Sequence, residues 1–243
     1  MQFRITTYPT VGSTNAVARQ MGLMQAPEGT VVAALTQTAG KGRLGRSFYS
    51  PAGTGIYFSL LLRPAVPLAP GVLTAMGGVA VCRVLKGYGL CPQIKWVNDV
   101  FLQGKKVCGI LAEQTVLEPN VFTVVGFGLN LCPPENGFPH ELTAVAGTVF
   151  DRAVPRERGE ELQNALLREY ARLYEALPDL SFRQEYADAG LLTGQTVTVD
   201  APEGVLTGLV TGIGEDFSLL VQTPDGTLHP IRTGEATIGS RQV

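Results

Sequence analysis

At 243 residues the chain holds one large domain, or one domain with a small module attached. A hydrophobic share of 45% against 16% charged residues is ample for a packed core and excludes a disordered chain. A formal net charge of −2 excludes a generally basic nucleic-acid binder, so anion chemistry has to come from local clusters of cations.

The opening residues, Met1-Gln2-Phe3-Arg4-Ile5-Thr6, carry no signal-peptide core. No apolar run reaches the roughly 18 residues that a membrane span needs, so the expectation is a soluble cytoplasmic protein without a membrane partner. Ser13-Thr14-Asn15, then residues 16–21, then Gly22 read as an N-cap, a short helix with Val17 and Met21 on one face, and a glycine stop. A capping hydroxyl and a ligand-facing hydroxyl are compatible roles for Ser13 and Thr14. Residues 31–36 and 56–62 read as strands, with a long cationic loop between them. Residues 68–85 predict a largely buried helix in which Gly77-Gly78 is a close packing point. Strands follow at 94–96, 100–102 and 107–114, the last two joined by a turn at Gln103-Gly104-Lys105. Residues 121–131 form another strand, whose Gly126 and Gly128 mark a close approach by a ligand or another chain segment.

Residues 160–177 are the clearest amphipathic helix, with Leu162, Leu166, Tyr170, Leu173 and Leu177 in one stripe and Pro178 ending it. After Gly190 the pattern changes to short β runs at 197–199, 208–213, 218–222 and 227–231. Turn signals at Glu203-Gly204, Gly214-Glu215-Asp216 and Asp225-Gly226 separate them, which predicts a small β-barrel module of about five strands. The four cysteines show no C-x-x-C spacing and the two histidines stand apart, so no protein-held metal centre is expected.

Residues 40–46, Gly-Lys-Gly-Arg-Leu-Gly-Arg, pack three cations and three glycines into seven positions. They fit G-x-G-x-x-G, but no helix follows and the ribose-binding acid is missing, so the dinucleotide fingerprint fails. No P-loop motif is present either. Two readings of the loop stand side by side: a solvated surface loop, and an anion cradle of backbone N–H groups flanked by Lys41, Arg43 and Arg46. The polar residues at loops and edges are Ser13, Thr14, Gln37, Lys41, Arg43, Arg46, Asn98, Asp99, Lys106 and Asn130. They offer cations, amides and one acid, with no Ser/His/Asp set. That chemistry suits a barrier made of charge on phosphorus.

Five motifs together resemble the biotin–protein ligases. Residues 37–46 are similar to that family's Gly-Arg-Gly-Arg-x-Gly-Arg loop, and Lys95-Trp96-Val97-Asn98-Asp99 to its Lys-Trp-Pro-Asn-Asp. Residues 105–113 resemble its Lys-x-x-Gly-Ile-Leu-x-Glu strand, Ser13-Thr14-Asn15 its Ser-Thr-Asn, and residues 126–130 its Gly-x-Gly-Leu-Asn. Lys41, Phe48 and Val97 depart from the usual arginine, tryptophan and proline. The resemblance is to the form without an N-terminal helix-turn-helix and implies no DNA partner. The fold it implies is α+β: a mixed, largely antiparallel sheet flanked by helices over 1–189, of the class II aminoacyl-tRNA synthetase type, with an SH3-like β-barrel over 190–243.

The implied reaction joins biotin to a lysine of a biotin carboxyl carrier domain through biotinyl-5′-AMP, with ATP and biotin as substrates and Mg²⁺ beside them. Carried onto this chain, Lys106 contacts the carboxylate and α-phosphate, and Arg43 and Lys41 hold the adenylate. Arg46 faces the ATP phosphates; Ser13, Thr14 and Gln37 bind biotin; Asn98 and Asn130 serve the nucleotide. Asp99 orients the incoming amine or binds Mg²⁺ through water. Asn15, Gly40, Gly42 and Gly109 lie within the matched motifs, and Trp96 reads as core or pocket wall. The family also allows a homodimer by edge-to-edge sheet pairing. Rival readings are a lipoate-type ligase or acyl transferase, a non-catalytic biotin sensor, and an RNA-binding role for the barrel.

Overall fold

The computed structural model describes residues 1–239 apart from 67, 119 and 203. The turn residue Glu203 and residues 240–243 of the expected barrel therefore lie outside the described residues. The chain runs β1 (Arg4–Val11), α1 (Thr14–Leu23), β2 (Thr30–Gln37), β3 (Gly55–Leu62), α2 (Pro70–Gly87), β4 (Gln93–Lys95), β5 (Asp99–Leu102), β6 (Lys105–Leu117) and β7 (Asn120–Asn130). Helices α3 (Arg156–Glu175) and α4 (Phe182–Asp188) follow, then strands β8 (Thr196–Ala201), β9 (Gly204–Ile213), β10 (Leu219–Gln222), β11 (Leu228–Ile231) and β12 (Glu235–Ile238).

Strands β1 to β7 form one seven-stranded sheet in the order β1-β2-β3-β7-β6-β5-β4, in which only β1 and β2 pair in parallel. The central strands β2, β3 and β7 are apolar without alternation because both of their faces are covered. Val32, Leu61 and Val124 turn to α1, whose Ala18 meets them; Val31, Leu60 and Val125 turn to the larger core beneath α2 and α3. Helix α2 is apolar all round for the same reason: sheet, α3 and α4 enclose it. A Cβ on Gly77 would lie 3.1 Å from Ile110 and Phe127, and one on Gly78 3.2 Å from Ile94, which is the close packing the glycine pair predicts.

The second sheet is antiparallel, in the order β11-β10-β9-β8-β12, and buries Val197, Val199, Val210, Leu219 and Val221. It docks on the first unit through Phe217, which stacks on Phe182 at 5.2 Å and meets Tyr186 edge-on at 5.7 Å. The segment that leads from α4 to β8 is itself fixed to β4 by main-chain bonds, since Ile94 N donates to Ala189 O and Leu191 N to Ile94 O.

Three local expectations need correction. Ser13 is extended at the start of α1, but no side chain caps the helix. Gly22 does not stop α1; it lies inside it, where a Cβ would sit 2.5 Å from the Phe122 ring. The stop comes later, at Gln25, whose φ is 64°. Helix α3 ends at Glu175, before Leu177 and Pro178, because the chain turns there into α4. Strands β1 and β12 and helix α4 had no counterpart among the predicted elements.

Candidate active site

One cavity, of about 130 Å³, gathers the start of α1, the cationic loop, the β4–β5 hairpin, β6, β7 and residues 234–236 of the second sheet. Of the residues singled out in the sequence, Ser13, Thr14, Asn15, Gln37, Lys41 and Gly42 line it from one side. Arg43, Arg46, Trp96, Asn98, Asp99, Lys106 and Gly109 line it from the other.

The floor is uncharged and buried. Thr14 N donates to Gln37 Oε1 at 2.8 Å, and Thr14 Oγ1 donates to the same oxygen at 3.1 Å. Gln37 Nε2 donates to Ser50 Oγ at 2.9 Å, and Ser50 Oγ donates to Phe48 O. Asn15 Nδ2 donates to Glu113 Oε2 at 2.7 Å and to Leu111 O at 3.3 Å. Ser59 Oγ lies 2.8 Å from Thr14 Oγ1 and 2.6 Å from Asn15 Oδ1. Thr14 and Asn15 are the first two residues of α1, inside its N-cap, and their side chains are spent on the sheet. The glycines of β7 make room for this layer. A Cβ on Gly126 would fall 2.1 Å from Asn15 Oδ1, and one on Gly128 2.5 Å from the Phe48 ring. Both bear out the close approach expected of glycines inside a strand.

The back wall carries the charge pair. Lys106 Nζ is 2.7 Å from Asp99 Oδ1 and 6.0 Å from the centre of the Phe48 ring. Both side chains are partly exposed to the cavity. A β-bulge shifts the β5–β6 register between Val100 and Phe101, next to this pair. The Lys106 backbone is held from outside the sheet: its N–H donates to Val145 O, and Gly147 N donates to its carbonyl, each at 2.8 Å. Asn98 Nδ2 donates to Ile110 O, and the Trp96–Val97 peptide is cis. Trp96 is a buried pocket wall, its indole N–H given to Phe217 O at 3.0 Å.

The rim is the cationic loop. It is pinned by a bridge between Lys41 and Ser47 and tightened by a 3-10 turn over Arg43–Gly45, with Leu44 at φ 54°. Arg43 Nη1 donates to Asn98 Oδ1 at 3.2 Å and Nη2 to Gly234 O at 3.3 Å. Burial lowers the pKa of Arg43, while Asp99 and Glu235 oppose that shift; a guanidinium starts so high that it keeps its charge. Arg46 makes a two-pronged ion pair with Glu235, in which Nη1 donates to Oε1 at 2.7 Å. The loop is therefore neither an isolated surface loop nor an empty cradle; it is tied to the second sheet.

Gly40 and Asn130 do not line the cavity. Gly40 sits under Phe48 and accepts its N–H, in a place where a Cβ would meet Phe48 O at 2.4 Å. Asn130 is buried and donates to Gly147 O at 3.0 Å, which braces the segment that holds Lys106. Ser59, Gly234 and Glu235 escaped the sequence reading, and Glu113 was read only as the last residue of the 105–113 motif, without a site role. Ser59 had a signal, as a lone polar residue in an apolar strand; Glu235 had none.

Residues 8–130 match the Biotin/lipoate A/B protein ligase family. The chain is 34% identical over 226 residues to the bifunctional ligase/repressor BirA of Bacillus subtilis, covering 89% of this chain and 68% of that protein. It is 35% identical over 217 residues to the biotin–[acetyl-CoA-carboxylase] ligase of Mycobacterium tuberculosis, covering 85% and 77% of the two chains. Among solved structures, the biotin protein ligase of Aquifex aeolicus in complex with biotin and ATP superposes with a TM-score of 0.82 at 28% identity, over 97% of this chain and 98% of that one. The chain belongs to the biotin/lipoate A/B protein ligase family.

Proposed function

We infer that this chain is an ATP-dependent biotin–protein ligase. The observation that carries the choice within the family is the pairing of an uncharged, hydrogen-bonded floor with a cationic rim in one cavity. The floor offers the Thr14 hydroxyl and the Gln37 carbonyl, which suit the N–H groups of a cyclic urea. A dithiolane ring brings no N–H donor, and the same buried acceptors would lose their partners. The rim offers Arg43, Arg46 and Lys41 to phosphate oxygens.

In the first step a biotin carboxylate oxygen attacks the α-phosphorus of ATP, the bond to the β-phosphate bridging oxygen breaks, and pyrophosphate leaves. Lys106 is the residue we assign to the charge that builds on the α-phosphate, because its ammonium stands at the floor–rim boundary. In the second step the neutral amine of a carrier lysine attacks the anhydride carbonyl, AMP leaves with the bridging oxygen, and a proton is lost. Asp99 is assigned to orienting that amine, and its pairing with Lys106 makes one charge serve both steps. Arg43 and Lys41 hold the adenylate, and Asn98 sets the Arg43 guanidinium. Closure by the loop keeps water from the mixed anhydride.

Mg²⁺ is bound in such sites through one or two carboxylates and substrate phosphates. Asp99 fits that donor set through an intervening water, and the ion would supply charge neutralisation on the phosphates. The acceptor is the carrier of a biotin-dependent carboxylase, as the relatives' activity supports. Further parts of this reading are a catalytic unit of residues 1–189, a β unit from 190 onward, pairing of two copies through sheet edges, and a cytoplasmic location. No helix among the described residues is long and apolar enough to cross a membrane.

The test is incubation with biotin, labelled ATP and a biotin carboxyl carrier domain, scoring pyrophosphate and biotinylated lysine separately. Biotin should trigger both. Pyrophosphate release with lipoate and not with biotin would overturn the assignment.

A further inference from the structure

The floor of the cavity is hydrogen-bonded to three residues that do not line it, Ser50, Ser59 and Glu113, and the last two act on Thr14 and Asn15. Counting protons through this network decides what the floor presents. Asn15 Nδ2 has acceptors for both of its hydrogens, Glu113 Oε2 and Leu111 O, which fixes the amide so that Oδ1 faces Ser59. A carbonyl oxygen only accepts, and Ser59 has a single proton, so that proton goes to Asn15 Oδ1 at 2.6 Å. Ser59 Oγ then has only lone pairs to offer Thr14. The Thr14 proton is left with two acceptors inside the protein, Ser59 Oγ at 2.8 Å and Gln37 Oε1 at 3.1 Å. On the other side Gln37 is held the right way round, with Nε2 spent on Ser50 and Oε1 receiving the Thr14 N–H. With the Thr14 proton on the nearer acceptor, Ser59 Oγ, the cavity meets lone pairs at Thr14 Oγ1 and one remaining lone pair at Gln37 Oε1. Ser59 is fully buried, so no water competes for its bonds to Thr14 and Asn15.

We propose that Ser59 and Glu113 are positioning residues for substrate selection: by orienting Asn15 they hold the Thr14 hydroxyl as an acceptor, which selects a ligand bearing N–H donors. This rests on the biotin-ligase reading and deepens it. Without the Glu113 carboxylate only the longer bond to Leu111 O, at 3.3 Å, holds the Asn15 amide against turning over. An inverted amide would present Nδ2 to Ser59, release the Ser59 proton toward Thr14, and turn the Thr14 proton away from Ser59, either onto the lone pair that Gln37 Oε1 keeps for the ligand or into the cavity. The floor would then stop discriminating between a ring N–H and a ring nitrogen that lacks one.

The experiment compares wild type, Ser59→Ala, Glu113→Met and Glu113→Gln, using the full chain. Glu113→Met keeps the length of the side chain and removes the acceptor; Glu113→Gln keeps an acceptor. Calorimetry gives the Kd of biotin, of biotin methylated on a ureido nitrogen, and of ATP, with the melting temperature measured alongside. In Ser59→Ala and Glu113→Met the preference for biotin over its methylated form should fall about tenfold, as expected for one lost buried hydrogen bond, with ATP affinity unchanged. Glu113→Gln should retain the wild-type preference. Biotin binding by wild type with the same preference in all three variants would overturn this inference alone. A joint fall in biotin affinity, ATP affinity and melting temperature would mark a merely structural role and would also overturn it. Failure of the wild-type chain to bind biotin would overturn the functional reading and this inference with it.

Discussion

The floor and the rim line the same cavity and are built in opposite ways. Ser13, Thr14 and Asn15 on the floor are each 4% exposed, and Thr14 and Asn15 have side-chain partners fixed by the sheet. On the rim the Arg46 side chain is 65% exposed, and its partner Glu235 comes from the second sheet. A buried polar group without a partner costs about 1–3 kcal/mol, so the floor can enforce one donor–acceptor pattern. An exposed ion pair is worth only about 0–1 kcal/mol, so the rim can trade one anion for another at little cost. The contrast suits a substrate with a neutral ring at one end and a phosphate ester at the other.

The largest effect should come where floor and rim meet. Lys106→Ala should lower biotin-dependent pyrophosphate release by a factor of about 10²–10³, the cost of removing one charge aimed at a developing oxyanion. The fold should survive, because Lys106 is held by backbone bonds that alanine keeps. Near-normal release by the variant would remove Lys106 from the chemistry.

On the rim a smaller and different change is expected. Arg43→Gly should speed escape of the finished adenylate about ten- to a hundredfold while slowing its synthesis less, since a charge-assisted hydrogen bond is worth about 1.5–3 kcal/mol. Escaped adenylate labels lysines on bystanders, so biotin incorporated into an added albumin should rise relative to wild type. Equal labelling with equal release rates would mean the rim does not retain the intermediate.

The smallest change should follow Glu235→Ala. Its bonds to Arg46 are exposed, and we expect a stability loss within about 1 kcal/mol by urea unfolding, shrinking further in high salt. A larger loss that resists salt would show that the rim is as rigidly built as the floor, and the contrast drawn above would fail.

Much of the site was legible because its residues sit in dense local motifs. Gly126 and Gly128 announced a close approach, and the packing of Asn15 and Phe48 over them explains why. The strands at 31–36 and 56–62 were plain because burial on both faces makes a continuous apolar run. Strand β1 was missed because its sequence, Arg-Ile-Thr-Thr-Tyr-Pro-Thr-Val, lies largely exposed at the sheet edge and shows no alternation. The bond from Asn130 to Gly147 O was not legible because a strand-end amide looks the same in sequence whether it meets a ligand or a backbone carbonyl. Glu235 could not be found at all: it meets Arg46 across 189 positions of chain and belongs to no motif.

The docking of Phe217 against Trp96, Phe182 and Tyr186 has a consequence during synthesis. Phe217 is made 121 residues after Trp96. At about 5–20 residues per second, Trp96 waits roughly 6–24 s on the ribosome before that partner exists. Through that interval the indole N–H lacks its carbonyl, and once Phe182 and Tyr186 are made an aromatic face lacks its cover as well. The nascent chain carries a sticky patch beside its own unfinished active site, and a chain stopped short of Phe217 carries it permanently. Chaperone occupancy of stalled chains, mapped by where translation is halted, should therefore drop once Phe217 has emerged.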